Sequence, residues 1–281
     1  METTSGGDQV LYLYGVIRRG QGVPADAGAE LQAIACSGVA ALVEPVCAEE
    51  FSPATLDEKM SSIEWVARLA HKHEAVLEGA TRHGAVVPAR LCTLFSSAEA
   101  LRLSLAANEA GFLAALERVQ GREEWGLKMF CEEDRLRALA ALDDPEVLRL
   151  EAAITETSPG HAFVLRKKQD ARLAELSAAR IEDAIDATIE ALEPATVELR
   201  FLPALLSAAE EAGGERIALN LAALVDVGAR EAFHCAVSRL SESFPGEGFA
   251  FEVSGPWPPY NFCTDEEAGP EPTDEEREEE H

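Results

Sequence analysis

No short catalytic motif occurs in this chain. It contains no G-x-G-x-x-G, no G-x-x-x-x-G-K-[ST], no H-E-x-x-H and no G-x-S-x-G, so dinucleotide, P-loop, zincin and nucleophile-elbow chemistries have no residues to carry them. Basic residues are few, 24 against 51 acidic ones, for a formal net charge of −27. A field of that sign repels phosphate backbones and anionic lipid surfaces, which argues against nucleic acid as a partner. The six cysteines are scattered, without C-x-x-C or regular spacing, and read as reduced thiols with neither a zinc site nor a disulfide framework. Long apolar runs are also missing. Even 217–227 is interrupted by Asn220 and Asp226, far short of the roughly 20 residues that span a bilayer. Residues 1–9 are polar, with no basic segment ahead of an apolar one, so no signal peptide is expected. These absences predict a soluble, intracellular protein with no membrane span, no cofactor or metal site and no enzymatic constellation.

What is present has room for two α+β domains. The segment 10–17, with Leu11, Leu13 and Val16 among Tyr12 and Tyr14, suits a strand buried on both faces, and 38–46 repeats that character. From Ser52-Pro53, the residues Leu56, Met60, Ile63, Val66, Ala70 and Leu77 recur at three- and four-residue steps and predict one long amphipathic helix ending near Gly79 or Gly84. Strand composition returns over 86–95. Ser96 with Glu99 is a capping-box signature for a helix to about Val119, split near Asn108 and Gly111.

Gly121 begins the second unit. A strand at 125–131 precedes a charged helical stretch broken at Asp144-Pro145, and Ser158-Pro159-Gly160 opens a long helix that Pro194 stops. Two strands, 196–202 and 216–227, flank Gly213-Gly214; a helix from Gly228 to about Phe244 and a strand at 249–253 follow. The order β-α-β-β-α-β is the ferredoxin-like pattern of four antiparallel strands with two helices on one face. The expected division is therefore a 1–9 lead, a 10–120 N-terminal domain, a 121–263 ferredoxin-like domain and a 264–281 tail. That tail holds ten acidic residues and one arginine, a charge of −9 that leaves −18 elsewhere, and its composition predicts acidic disorder.

Three features invite a functional reading. His71-Lys72-His73 lies on a helix, where residues two apart diverge by roughly 200° and do not form a ligand pair; His73 falls on the apolar stripe and reads as a partly buried core histidine. Arg166-Lys167-Lys168 is a basic patch in an acidic chain, either a seat for an acidic partner or a solvated helix start. Gly255 to Phe262 packs three prolines and three aromatics into eight residues without charge. Proline geometry makes it a rigid strap, neither helix nor central strand, whose rings lie on the protein's own core or on a partner.

Several segments together resemble the gas vesicle GvpF/GvpL family. They are Tyr12-Leu13-Tyr14-Gly15-Val16, Glu74-Ala75-Val76-Leu77, the run from Val86 to Phe95, Glu124-Trp125-Gly126-Leu127-Lys128, Pro159-Gly160 leading into Phe163-Val164-Leu165-Arg166-Lys167-Lys168, and Gly255 to Phe262. The chain departs from the family pattern at Leu91-Cys92, where an aromatic and a glycine are more usual. The resemblance implies a non-enzymatic accessory protein of gas vesicle assembly with a modified ferredoxin-like second domain. It also implies association with the small hydrophobic shell protein and other accessory proteins, as chaperone, nucleation factor or minor vesicle component, cytoplasmic before assembly and then at the vesicle. The candidate partner-binding residues are Pro256, Trp257, Pro258, Pro259 and Tyr260 of the strap with Arg166, Lys167 and Lys168. The competing reading is a ferredoxin-like module that binds or senses a small molecule. Against it, the inner faces read apolar, with Asn220 the one conspicuous polar intrusion.

Overall fold

The computed structural model describes residues 9–24, 30–203, 215–244 and 246–263. In chain order the elements are β1 (Gln9–Arg18), β2 (Gln32–Cys36), β3 (Val39–Cys47), α1 (Pro53–Met60), α2 (Ile63–Thr81), β4 (Val86–Pro88), β5 (Leu94–Phe95), α3 (Ala98–Ala107), α4 (Glu109–Val119) and β6 (Arg122–Cys131). They continue with α5 (Glu133–Asp143), α6 (Pro145–Thr155), α7 (Pro159–Leu192), β7 (Glu198–Phe201), β8 (Arg216–Asp226), α8 (Arg230–Ser243), β9 (Phe249–Trp257) and α9 (Tyr260–Cys263). Two compact units result: Met1–Glu124 with Trp257–His281, and Trp125–Pro256. The sequence grouped 121–263 together; in the structure the strap's second half, from Trp257, returns to the first unit. The expected 1–8 lead, the Gly213-Gly214 turn and the 264–281 tail lie outside the described residues.

The first unit is built on the antiparallel order β2-β3-β1-β4, with β5 also pairing with β1. β1 is buried on both faces, as its composition predicts. Tyr12, Tyr14 and Ile17 join Leu42, Val76, Leu77 and Ala80 in the core on the α2 side. The register of β1 on β3 shifts between Leu13 and Gly15, which turns Gly15 towards α2. A Cβ on Gly15 would lie 2.8 Å from the Val87 carbonyl oxygen and 3.0 Å from Leu77 Cδ2, so the close approach of β1 and β4 requires glycine there.

Three local expectations are corrected. The helix expected from Ser52 is two helices: Ser62 leaves helical geometry and its Oγ accepts from Trp65 N–H at 3.4 Å, the local competition by which serine favours caps over helix interiors. Ile63 is accordingly 86% exposed and off the buried stripe. The cap of α3 is Ser97, whose Oγ accepts from Ala100 N–H, not Ser96. The strand expected over 86–95 is two pieces. β4 pairs with Gly15–Ile17 and β5 with Leu11–Tyr12, while 89–93 loops out with Cys92 at φ 65°, a left-handed position natural to glycine. The strand β2 carried no sequence expectation, because its short, weakly buried Gln-Ala-Ile-Ala-Cys run lacks a strong period.

The second unit has the sheet order β7-β8-β6-β9, with β7 and β8 antiparallel. Trp125, Leu127 and Met129 of β6 and Leu219, Leu221, Ala223 and Val225 of β8 pack with Ala184 and Leu192 of α7 and Phe233, Val237 and Leu240 of α8. The helices α5 and α6 lie against α7. The strand expected at 249–253 extends to Trp257 as the sheet's edge strand β9. Proline is tolerated there because an edge strand need not use every N–H. The strap is therefore half edge strand, and its end from Tyr260 is the one-turn helix α9, where no helix was expected. Proline fails inside a helix but not just ahead of one. Asn220 does not enter a cleft: its Nδ2 donates to the Pro203 carbonyl at 2.9 Å and its own carbonyl accepts from Leu202 N–H at 2.8 Å.

Candidate functional site

Within the first unit, hydrogen bonds join the segments that carry the family resemblance. Tyr12 Oη donates to His73 Nδ1 at 3.0 Å, His73 Nε2 donates to the Ala89 carbonyl at 3.1 Å, and the Cys92 N–H donates to Tyr12 Oη at 3.2 Å. A carbonyl can only accept, which fixes the neutral tautomer with its proton on Nε2. His73 is 1% exposed. Burial pushes its pKa down to about 4, opposed in part by the Ala89 hydrogen bond. This is a histidine that holds α2, β1 and the 89–93 turn together; His71 beside it is exposed. Among the described residues no group of three or more His, Cys, Asp or Glu side chains is placed to hold a metal ion.

The strap closes onto the same unit. Tyr260 packs against the α2-side core and donates to Glu74 Oε1 at 2.8 Å. Burial, and secondarily this hydrogen bond, raises the tyrosine's pKa, and burial raises that of the Glu74 carboxyl. Asn261 donates twice to the buried Glu124, from its backbone N–H at 2.9 Å and from Nδ2 at 2.5 Å. Phe262 is fully buried, and α9 lies against α4 and β4. Pro258 and Pro259 are buried as well, which removes both rings from any partner surface. Of the five strap residues singled out by sequence, only Pro256 and Trp257 are exposed, Trp257 at 45%. Glu124 and Asn261 were not singled out, although both lie in segments that carry the resemblance.

The basic patch sits near the start of α7 in the second unit. Arg166, Lys167 and Lys168 are all exposed. So are two residues that sequence reasoning did not place in the site, Phe163 at 59% and Val164 at 49%. At 100° per residue, Phe163 stacks below Lys167 and Val164 below Lys168, while Ala162, Leu165 and Gln169 turn inward. Lys167 Nζ lies 5.2 Å from the Phe163 ring centroid, a cation–π distance. The face is apolar and cationic together. Its signal in the sequence was that Phe163 and Val164 precede the apolar stripe that begins at Leu173 and so have no assigned core to enter.

No helix among the described residues is long and apolar enough to cross a membrane. The structure resembles the crystal structure of the gas vesicle protein GvpF from Anabaena sp. PCC7120, with a TM-score of 0.65 at 17% identity over 91% of this chain and 98% of that one. It also resembles GvpF from Microcystis aeruginosa, with a TM-score of 0.64 at 16% identity over 91% and 99% of the two chains. In sequence the chain is 29% identical to gas vesicle protein L of Streptomyces sp. (strain CB03234) over 265 residues, covering 91% of this chain and 93% of that relative. It is 27% identical to gas vesicle protein L2 of Halobacterium salinarum, covering 84% of each. The family model described as gas vesicle synthesis protein GvpL/GvpF matches residues 10–264, and the chain belongs to that family.

Proposed function

We propose that this protein is a non-enzymatic accessory factor of gas vesicle assembly that binds the small hydrophobic shell protein before or during its incorporation. It serves as chaperone, nucleation factor or minor vesicle component, cytoplasmic first and then at the vesicle. The observation that carries this reading is the family match across nearly the whole chain. The second unit is read as a modified ferredoxin-like sandwich: its strands fall in the spatial order fourth, first, third, second, with α5 and α6 as additions between β6 and α7.

The binding surface is the α7 face of Phe163, Val164, Arg166, Lys167 and Lys168; Pro256 and Trp257, the exposed strap residues, are a separate candidate contact. An apolar pair framed by cations suits an amphipathic segment that offers apolar side chains beside carboxylates. The net charge of −27 keeps loaded complexes from coalescing. The triple variant R166E/K167E/K168E is expected to weaken capture of the purified shell protein about 10- to 100-fold while leaving the thermal midpoint unchanged. The measurement is co-precipitation at two salt concentrations. Undiminished capture by a folded triple variant would remove α7 from the proposed surface.

A further inference from the structure

A cleft of about 260 Å³ opens in the first unit beside β1 and β4 and against α3 and α4. Its floor is hydrocarbon: Leu13, Val16 and Leu105 line it and are buried. On α4, Gly111 and Ala115 leave room beside the larger Phe112, which also lines the cleft. A Cβ added to Gly111 would meet nothing within 4 Å, and Ala115, one turn on, also lines the cleft. The lining turns polar at Arg90, which is exposed, and at Thr93, Ser104 and Asn108. The cleft is thus an apolar slot with an arginine among its lining residues.

We infer that this cleft binds a short aliphatic carboxylate, its hydrocarbon chain on the Leu13, Val16 and Leu105 floor and its carboxylate on Arg90. The two halves of the ligand follow from the two halves of the lining. The apolar floor rewards methylene burial and offers nothing to a polar body. A planar guanidinium pairs with a carboxylate through two parallel hydrogen bonds. In a chain of net charge −27 a bound anion needs such a local cation to offset repulsion. A volume near 260 Å³ is below the range of about 300–1,000 Å³ typical of drug-sized ligands, which limits the occupant to a small molecule such as one short chain. This site is independent of the α7 face, so neither reading rests on the other.

The test uses the full chain and sodium decanoate below its micelle concentration, followed by titration calorimetry and thermal unfolding. Saturable one-site binding and a concentration-dependent rise in thermal midpoint are expected. Arg90→Gln should weaken decanoate about tenfold or more while leaving 1-decanol binding unchanged. Gly111→Leu fills the slot, and helix propensity favours the replacement; it should abolish binding of both compounds with the fold intact by circular dichroism. Absence of saturable binding, or a Gly111→Leu variant that binds like the parent, overturns the inference. So does unaltered decanoate affinity in Arg90→Gln. If decanoate fails to bind but Gly111→Leu loses shell-protein capture, the cleft is a groove for a protein segment and the ligand assignment is wrong.

Discussion

Phe262→Ala will lower the unfolding free energy of the first unit by about 3–5 kcal/mol, the cost of emptying a fully enclosed phenylalanine site. The reason lies in how the strap ends. The buried Pro258 and Pro259 lead into α9, Asn261 is fastened to Glu124, and the ring of Phe262 enters the interior as α9 meets α4 and β4. Trp257→Ala, at a half-exposed position, should cost less, about 1–2 kcal/mol. Urea unfolding followed by circular dichroism checks the ordering, with the two units fitted as separate transitions if they separate. Equal losses at the two positions would mean that the strap does not anchor the first unit through Phe262.

Acidification from pH 7 to pH 4 should remove about 3 kcal/mol of stability through His73 alone. The sign follows from proton uptake. The folded-state value, about 4, lies below the ordinary 6.5 of the unfolded chain. Between those two values the unfolded chain binds a proton that the native state refuses, so stability falls as pH falls. The contribution is intact above about pH 6.5 and is lost progressively down to about pH 4. Carboxylates add their own slope, so the informative quantity is the difference from His73→Gln, which can keep a donor for Ala89 and an acceptor for Tyr12 without titrating. The parent should lose about 3 kcal/mol more than this variant over that range. Parallel profiles would show that His73 protonates without unfolding its surroundings.

The elements with a strong period were readable from sequence: β1, β3, α7, β8 and α8 all stand where the apolar patterns put them. The misreadings share a cause, which is tertiary geometry imposed on locally ambiguous residues. The 86–95 run has strand composition throughout. Yet β4 and β5 keep different registers against the single strand β1, and the surplus residues must loop out. The departure at Leu91-Cys92 marked that place, since Cys92 occupies a backbone region that suits glycine. Ser61-Ser62 looked like two unremarkable positions in a helical stripe, yet Ser61 caps the end of α1 and the Ser62 bond to Trp65 starts α2. The strap's identity was plain from its prolines and rings, but its division between an edge strand of the second unit and an anchoring helix of the first was not. Composition says that rings need a surface, not which one. At the candidate site the basic triad was legible as a charge anomaly. Phe163 and Val164 joined it only once the inward positions of α7 had been assigned to Ala162, Leu165 and Gln169.

In the proposed role this protein covers apolar surface of a shell subunit. That role is tested most directly by diluting purified shell protein out of denaturant, with and without the full chain, and following light scattering and size-exclusion elution. The account predicts that scattering is suppressed near equimolar ratio and that the two proteins elute together. Unchanged scattering with separate elution would contradict it.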